Sequence, residues 1–298
     1  MTAPFRCATA SLGRADRLAG TASTVRGFLL VEHPGGWGRS APGDARLPNG
    51  LGPRLAKAAA AAGVRVLLVR RHGRAPLPGH RRVFAAYADP VAPWVETTEV
   101  EDLDRVLGLD LPALAAGRSP GLLPYGGSLL CVCTHGRHDV CCAERGRPVA
   151  EAVARAHPDE AWEVSHIGGD RFAANMLVLP HGLYYGGLDP ASAVAVSGTH
   201  LAGHLDLDHL RGRSGLPMPV QAAEVELRRR LGETRQDAVR FVRLERDRAD
   251  TRAWFEVGAA TWAVAVRSSH GEDTHRLTCG VDKLSPIPRH DVLDVHRA

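Results

Sequence analysis

Apolar residues along this chain fall into short blocks punctuated by glycine and proline. Phe28 to Val31 reads as a buried strand, stopped by Pro34 and the glycines around Trp37. Leu51 to Ala62 is alanine-rich, with Pro53 in its first turn and Gly63 just past its end, which predicts a helix. Val64 to Val69 is again strand-like, so strand, helix, strand predicts a parallel βαβ pair. Val95 to Glu101 predicts a strand and Leu103 to Leu107 a short helix. Leu129 to Cys133 opens a second set: an apolar run, about two helical turns after Cys142, a strand ending at His166, and a strand over Met176 to Pro180. Tyr184 and Tyr185 before two glycines suggest a strand edge, residues 189–202 a helix, Asp206 to Ser214 a polar loop, and Val220 to Leu231 an amphipathic helix closed by Gly232. Beyond about residue 236, VRFVRLER, TRAWFEVGAATWAVAVR and HRLTCGVDKL alternate as antiparallel strands do.

Ala116 to Ser128 is rich in glycine and proline and reads as a linker. The expected organisation is therefore α/β: an amino-terminal α/β domain over 1–118, a domain over 119–235 whose strand, helix, strand, strand, helix order resembles a thioredoxin-like layout, and a β-rich carboxy-terminal extension over 236–298. No internal repeat stands out.

Composition narrows the function classes. At 298 residues with 44% hydrophobic and 23% charged residues, the chain has globular proportions and no apolar run of membrane-spanning length. The amino terminus lacks the apolar segment of a secretory signal, so a cytoplasmic protein is expected. The net charge of +4 is modest and scattered, without the basic stripe and interleaved aromatics of a nucleic-acid footprint. One basic loop gathers Arg70, Arg71, His72, Arg74, His80, Arg81 and Arg82, either as a solvated face or as a surface that steers an acidic redox partner. Four of the six cysteines lie within twelve residues, which points to metal or redox chemistry more than to a disulfide framework. Cys7, isolated near the amino terminus, reads as a small packed residue.

Candidate chemistry concentrates in Ser128 to Asn175. Cys133 and Cys142, nine positions apart, bracket a polar loop that lets both thiolates turn toward one centre. The helix start after Cys141 and Cys142 favours the thiolate form. His166, followed by Gly168, Gly169 and Asp170, stands at a second strand end, and His135 and His138 lie in the first loop with Arg137. Thiolate with imidazole suits an iron–sulfur cluster or zinc equally. A thiol redox protein using Cys141 and Cys142 is a third reading, but adjacent cysteines form a strained ring and lack the CxxC spacing. Asn175 is expected to bond the loop backbone.

CTHGRHDVCC followed by HIGGDRFAAN resembles the sucrase/ferredoxin-like family in its bacterial form, with further likeness in EHPGGWG, HLAGHLDLDHLRGRS and PVQAAE. The resemblance implies a thioredoxin-like ferredoxin domain and a [2Fe–2S] cluster with Cys133 and Cys142 on one iron and His166 on the other. Members of the family carry a second histidine where this chain has Asp170. The fourth ligand is then Cys279, Asp170 or Cys141, with Cys279 ranked first because sulfur suits iron better than carboxylate does. The expected function is a cytosolic electron carrier, more a carrier than a stand-alone enzyme, with a zinc-stabilised binding module as the alternative. With no dinucleotide fingerprint, electrons are expected from a separate reductase and pass to a separate acceptor. No glycosidase carboxylate pair supports the word sucrase.

Overall fold

A computed structural model of the chain describes residues 4–73 and 79–298, so Arg74 of the basic loop lies outside the described residues. The first half contains α1 (Cys7–Gly13), β1 (Gly27–Glu32), α2 (Leu51–Ala62), β2 (Arg65–Arg70), β3 (Arg81–Tyr87), β4 (Trp94–Val100), a 3-10 turn (Leu103–Gly108) and α3 (Leu111–Ala115). After the short β5 (Leu123–Pro124) come β6 (Leu129–Cys133), α4 (Val140–Ala156), β7 (Ala161–Val164), a 3-10 turn (Asp170–Phe172), β8 (Met176–Leu179), β9 (Leu183–Tyr185), α5 (Pro190–Leu201), β10 (Leu210–Arg213) and α6 (Met218–Leu231). The carboxy-terminal part is β11 (Val239–Asp247), β12 (Asp250–Val257), β13 (Ala260–Arg276) and β14 (Leu284–Arg297).

One mixed sheet of ten strands, in the order β10-β9-β8-β6-β7-β2-β1-β3-β4-β5, runs through both halves and across residue 118. Within it, β1, α2, β2, β3 and β4 repeat the layout of β6, α4, β7, β8 and β9. In each set the first two strands are parallel, and the third and fourth join antiparallel on the far side of the first. The register identifies equivalent residues: Glu32 lies opposite Val69 as Cys133 lies opposite Val164. Val69 and Val164 are themselves paired where β2 meets β7 antiparallel. A local two-fold axis therefore passes between these two valines, and the halves are a structural duplication. The repeat escaped the sequence reading because the backbone is duplicated while the side chains are not, Cys133 standing where the first half has Glu32.

The alternation of the strands explains the core. Leu29, Val31, Leu68 and Val83 pack with α2 and α3, and Leu130, Val132, Ala161 and Met176 pack in the same manner with α4 and α5. The intervening positions, Phe28, Leu30, Phe84, Cys131, Trp162 and Leu177, form a third apolar cluster that spans the seam. Burial on both faces is why β1 and β6 read as unbroken apolar runs.

Three local expectations need correction. Asp206 to Ser214 is not only a polar loop, since Leu210–Arg213 forms β10 and pairs with β9. Its arginines are buried because each is satisfied internally, Arg213 by Glu224 at 2.9 Å and Arg211 by backbone carbonyls, so their charge did not mark a solvated segment. The helix near the cysteines starts at Val140, contains Cys141 and Cys142, and runs 17 residues, because Asp139 caps it by accepting the Cys141 amide at 2.9 Å. In the carboxy-terminal part, HRLTCGVDKL is split: β13 ends at Arg276, Cys279 lies in the connecting loop, and β14 begins at Leu284. This four-stranded antiparallel sheet packs on α6 through Val220, Ala223, Leu227, Phe255 and Val264. No helix among the described residues is long and apolar enough to cross a membrane.

Candidate metal centre

Cys133 ends β6 and Cys142 sits in the first turn of α4, so a strand end and a helix start deliver two sulfurs to one place. The approach is possible because Gly146, one turn further along α4, has no side chain: a Cβ there would stand 2.1 Å from the Cys133 carbonyl oxygen. His166 arrives from the loop after β7, and the ligand atoms of Cys133, Cys142 and His166 all lie within 4.8 Å of one another. Both cysteines are buried, and the His166 side chain is 21% exposed at the rim.

The charges are coupled. The Cys142 thiol and His166 hydrogen-bond Cys133 and hold it well below the usual thiol range, while Cys142, facing that sulfur, is pushed well above it. Burial alone would lower His166, but Cys133 and Asp170 outweigh it and raise the imidazole. Asp170 Oδ1 stands 3.0 Å from His166 Nδ1 and 3.7 Å from Cys142 Sγ. His166 Nδ1 is nonetheless buried with no hydrogen-bond partner. The two atoms are close but out of line, as donors aimed at a shared cation would be. His138 stacks on His166 with ring centres 3.7 Å apart, and its Nδ1 donates to the Arg39 carbonyl at 3.1 Å, which leaves Nε2 free in the neutral ring.

His135 has a different job. Its Nδ1 accepts the His166 amide at 3.1 Å and its Nε2 donates to the Gly38 carbonyl at 2.9 Å, so both nitrogens are occupied and the tautomer is fixed. Burial lowers its pKa, in keeping with a neutral ring that ties the His166 backbone to the loop after β1.

The turn that carries His166 is braced from below. Gly168 and Gly169 both adopt positive φ, and Arg211, fully buried, donates to the Gly168 carbonyl (2.9 Å), Asn175 Oδ1 (2.8 Å) and the Thr21 carbonyl (2.5 Å). Asn175 bonds the loop backbone as expected, donating to Gly169 at 2.9 Å, and its own carbonyl accepts the Cys133 amide at 2.9 Å.

Cys279 and Cys141, named as possible fourth ligands, are placed elsewhere. They form a second group with Cys7 and Asp139, again with all ligand atoms within 4.8 Å. Sequence reasoning missed the partners of this group: Cys7 read as packing, and its neighbours lie 132 and 272 positions away, beyond any local pattern. Asp139 left one usable signal, its N-cap position before a helix. Arg211 left none that distinguished it from a solvated loop arginine.

The basic loop is largely committed. Arg70 pairs with Glu163 at 2.6 Å, Arg71 lies over the Trp162 ring at 3.8 Å, and Arg82 pairs with Glu99. A basic rim lies nearer the site instead: Arg39, Arg46 and Arg137 line a depression with His138, and Arg65 lines another with His135, His138 and His166.

No curated protein and no solved structure matches the chain. The family model described as sucrase/ferredoxin-like matches residues 18–212, which hold Cys133, Cys142, His166, Asn175 and Arg211. That match covers more than half of the sequence, and the chain belongs to the sucrase/ferredoxin-like family.

Proposed function

We propose that the protein is an electron carrier whose cofactor is a [2Fe–2S] cluster held by Cys133 and Cys142 together with His166 and Asp170. The observation that carries this reading is the donor set itself: two buried thiols converge with a rim imidazole whose Nδ1 faces Asp170 without a hydrogen bond. Soft sulfur paired with imidazole fits iron–sulfide better than it fits hard cations. Asp170 replaces Cys279 as the preferred fourth ligand because it lies 3.0 Å from His166, with His138, stacked on the same ring, as the competitor. Such a cluster supplies one-electron transfer, at a potential raised by the neutral imidazole relative to four thiolates.

The surrounding residues serve that purpose in distinct ways. β6 and α4 bury the sulfurs from water, His135 and the Arg211–Asn175 brace hold the His166 backbone, and His166 stays at the rim where an electron partner approaches. Arg39, Arg46, Arg65 and Arg137 around that rim favour an acidic reductase and an acidic acceptor by steering.

The test is a visible spectrum of freshly purified protein with iron and acid-labile sulfide analysis. Coloured protein with equal iron and sulfide is expected, lost in Cys133→Ser and in Cys142→Ser, and kept at a lower potential in His166→Cys. Comparing Asp170→Ala with His138→Ala for colour retention assigns the fourth position. A second reading has its own support: Cys133, Cys142 and His166, with ligand atoms all within 4.8 Å, also suit a zinc ion whose fourth ligand is Asp170, His138 or water. Colourless wild-type protein whose zinc is lost on Cys133→Ser selects that reading.

A further inference from the structure

Cys7, Cys141 and Cys279 take no part in that site, yet they are not scattered. They come from the first turn of α1, the first turn of α4 and the loop joining β13 to β14, and Asp139 completes the group. Cys7, Cys141 and Asp139 are at most 2% exposed. The separations are informative. Cys141 Sγ and Cys279 Sγ stand 3.5 Å apart, and Cys7 Sγ stands 3.6 and 3.7 Å from the two Asp139 oxygens. Ligands on the corners of a tetrahedron, at about 2.3 Å for sulfur and about 2.1 Å for oxygen, are about 3.6 to 3.8 Å from one another. The Cys141–Cys279 and Cys7–Asp139 separations are therefore close to two edges of a zinc site, and the remaining ligand atoms lie within 4.8 Å of one another.

The surroundings are those of a supported ligand set. The Cys7 amide donates to Cys279 Sγ at 3.2 Å. Asp139 is held by the Cys141 amide on Oδ1 at 2.9 Å, and on Oδ2 by the Cys279 amide at 2.6 Å and the Thr278 hydroxyl at 2.9 Å. The Cys7 thiol lies against both oxygens, so removing that proton frees a lone pair for a cation.

We propose that Cys7, Cys141, Cys279 and Asp139 form a structural zinc site that clamps the amino-terminal helix and the β13–β14 loop to the start of α4. On binding, Zn²⁺ takes three sulfurs and one carboxylate oxygen, and the three thiol protons pass to solvent. Four protein ligands leave no open position, which makes the site structural. A Cys141–Cys279 disulfide would use the same sulfurs differently: they would have to close from 3.5 Å to about 2.05 Å, leaving Cys7 and Asp139 without a role.

The experiment measures zinc by elemental analysis in the full chain, in a Cys133→Ser/Cys142→Ser double variant, and in that variant with Cys279→Ser added. The expected result is about one zinc per chain in the double variant, lost when Cys279 is replaced. Cobalt(II) added to the metal-stripped double variant should give the intense d–d bands of a tetrahedral site and a sulfur charge-transfer band that weakens with Cys279→Ser. Cys279 lies in a loop at the surface, so its replacement leaves the core packed, which circular dichroism checks. Cys279→Ser alone should keep whatever absorption the Cys133 site gives, so failure of the two readings is distinguishable. A double variant that purifies without zinc and takes up no cobalt overturns the proposal. So does a Cys141–Cys279 disulfide found by mass spectrometry after alkylation without reduction.

Discussion

Cys141 and Cys142 are adjacent in the chain but face two different ligand groups: Cys142 faces Cys133 and His166, and Cys141 faces Cys7 and Cys279. Successive helical residues point about 100° apart, so the first turn of α4 separates them without strain. Their replacements should have separable effects. Cys142→Ser is expected to remove the metal proposed for Cys133, whereas Cys141→Ser should leave that centre in place and free the amino-terminal helix. Metal content and protease sensitivity of the amino terminus, measured on both variants, check this; equal loss of the Cys133-bound metal would refute the separation.

Gly146 sets the distance between α4 and β6. An added methyl at 2.1 Å from the Cys133 carbonyl oxygen cannot be accommodated by a side-chain rotation, because the obstacle is backbone. Gly146→Ala is expected to cost about 1–3 kcal/mol through forced displacement of the helix and to weaken metal retention by moving Cys142 from Cys133. Urea denaturation and metal content read the two effects. Full stability in the variant would show that the helix shifts freely.

Much of the layout was legible because it rests on local patterns. Leu51 to Ala62 declared its helix through proline and glycine at its ends, and Cys133, Cys142 and His166 stood out by residue type in one short stretch, which the fold brings to one place. What stayed hidden depends on distant pairing. Arg211 is indistinguishable in sequence from a surface arginine, and only the fold brings it under Gly168 and Asn175. The duplication was hidden for a related reason: it is carried by strand order and by the Val69–Val164 register, while Cys133, Cys142 and His166 have no counterparts of the same type in the first half. Cys279 illustrates the limit of chemistry without topology. Its sulfur made it the better ligand on paper, but the β13–β14 loop brings it to Cys7 and Cys141.

His181 and His200 face each other with ring centres 5.4 Å apart beside Arg213, and burial is the main reason both resist protonation. His181 is pushed down to about 4 and His200 to about 3. An unfolded histidine titrates near 6.5, so below that pH the unfolded chain takes up protons that the folded chain refuses. Stability is thus complete above about pH 6.5 and declines as pH falls toward the folded values, by at most about 1.4 kcal/mol per pH unit for each ring. Urea midpoints between pH 7 and pH 4 should show this slope, and His200→Gln should flatten it. An unchanged slope in the variant would assign the loss to other groups.

Glu163 joins the two halves at their seam. It lies on β7, accepts two hydrogen bonds from Arg70 of β2 at 2.9 and 2.6 Å, meets His72 at 2.8 Å, and accepts the hydroxyl of Thr134, the residue after Cys133, at 2.7 Å. Burial pushes its carboxyl up, but Thr134, Arg70 and His72 together outweigh this and hold it below the ordinary range. Its contribution is therefore present above the usual glutamate pKa and lost as pH falls through the depressed value. Glu163→Ala leaves Arg70 facing a partly buried position with no counter-charge, at an expected cost of about 3 kcal/mol. Glu163→Leu combined with Arg70→Met removes both charges and should cost less than the sum of the single replacements, since the penalty lies in the unpaired partner. Denaturant unfolding of the four proteins in this cycle gives the coupling. Strict additivity would mean that the seam is held by the β2–β7 strand pairing and its apolar neighbours, with the ion pair contributing only register.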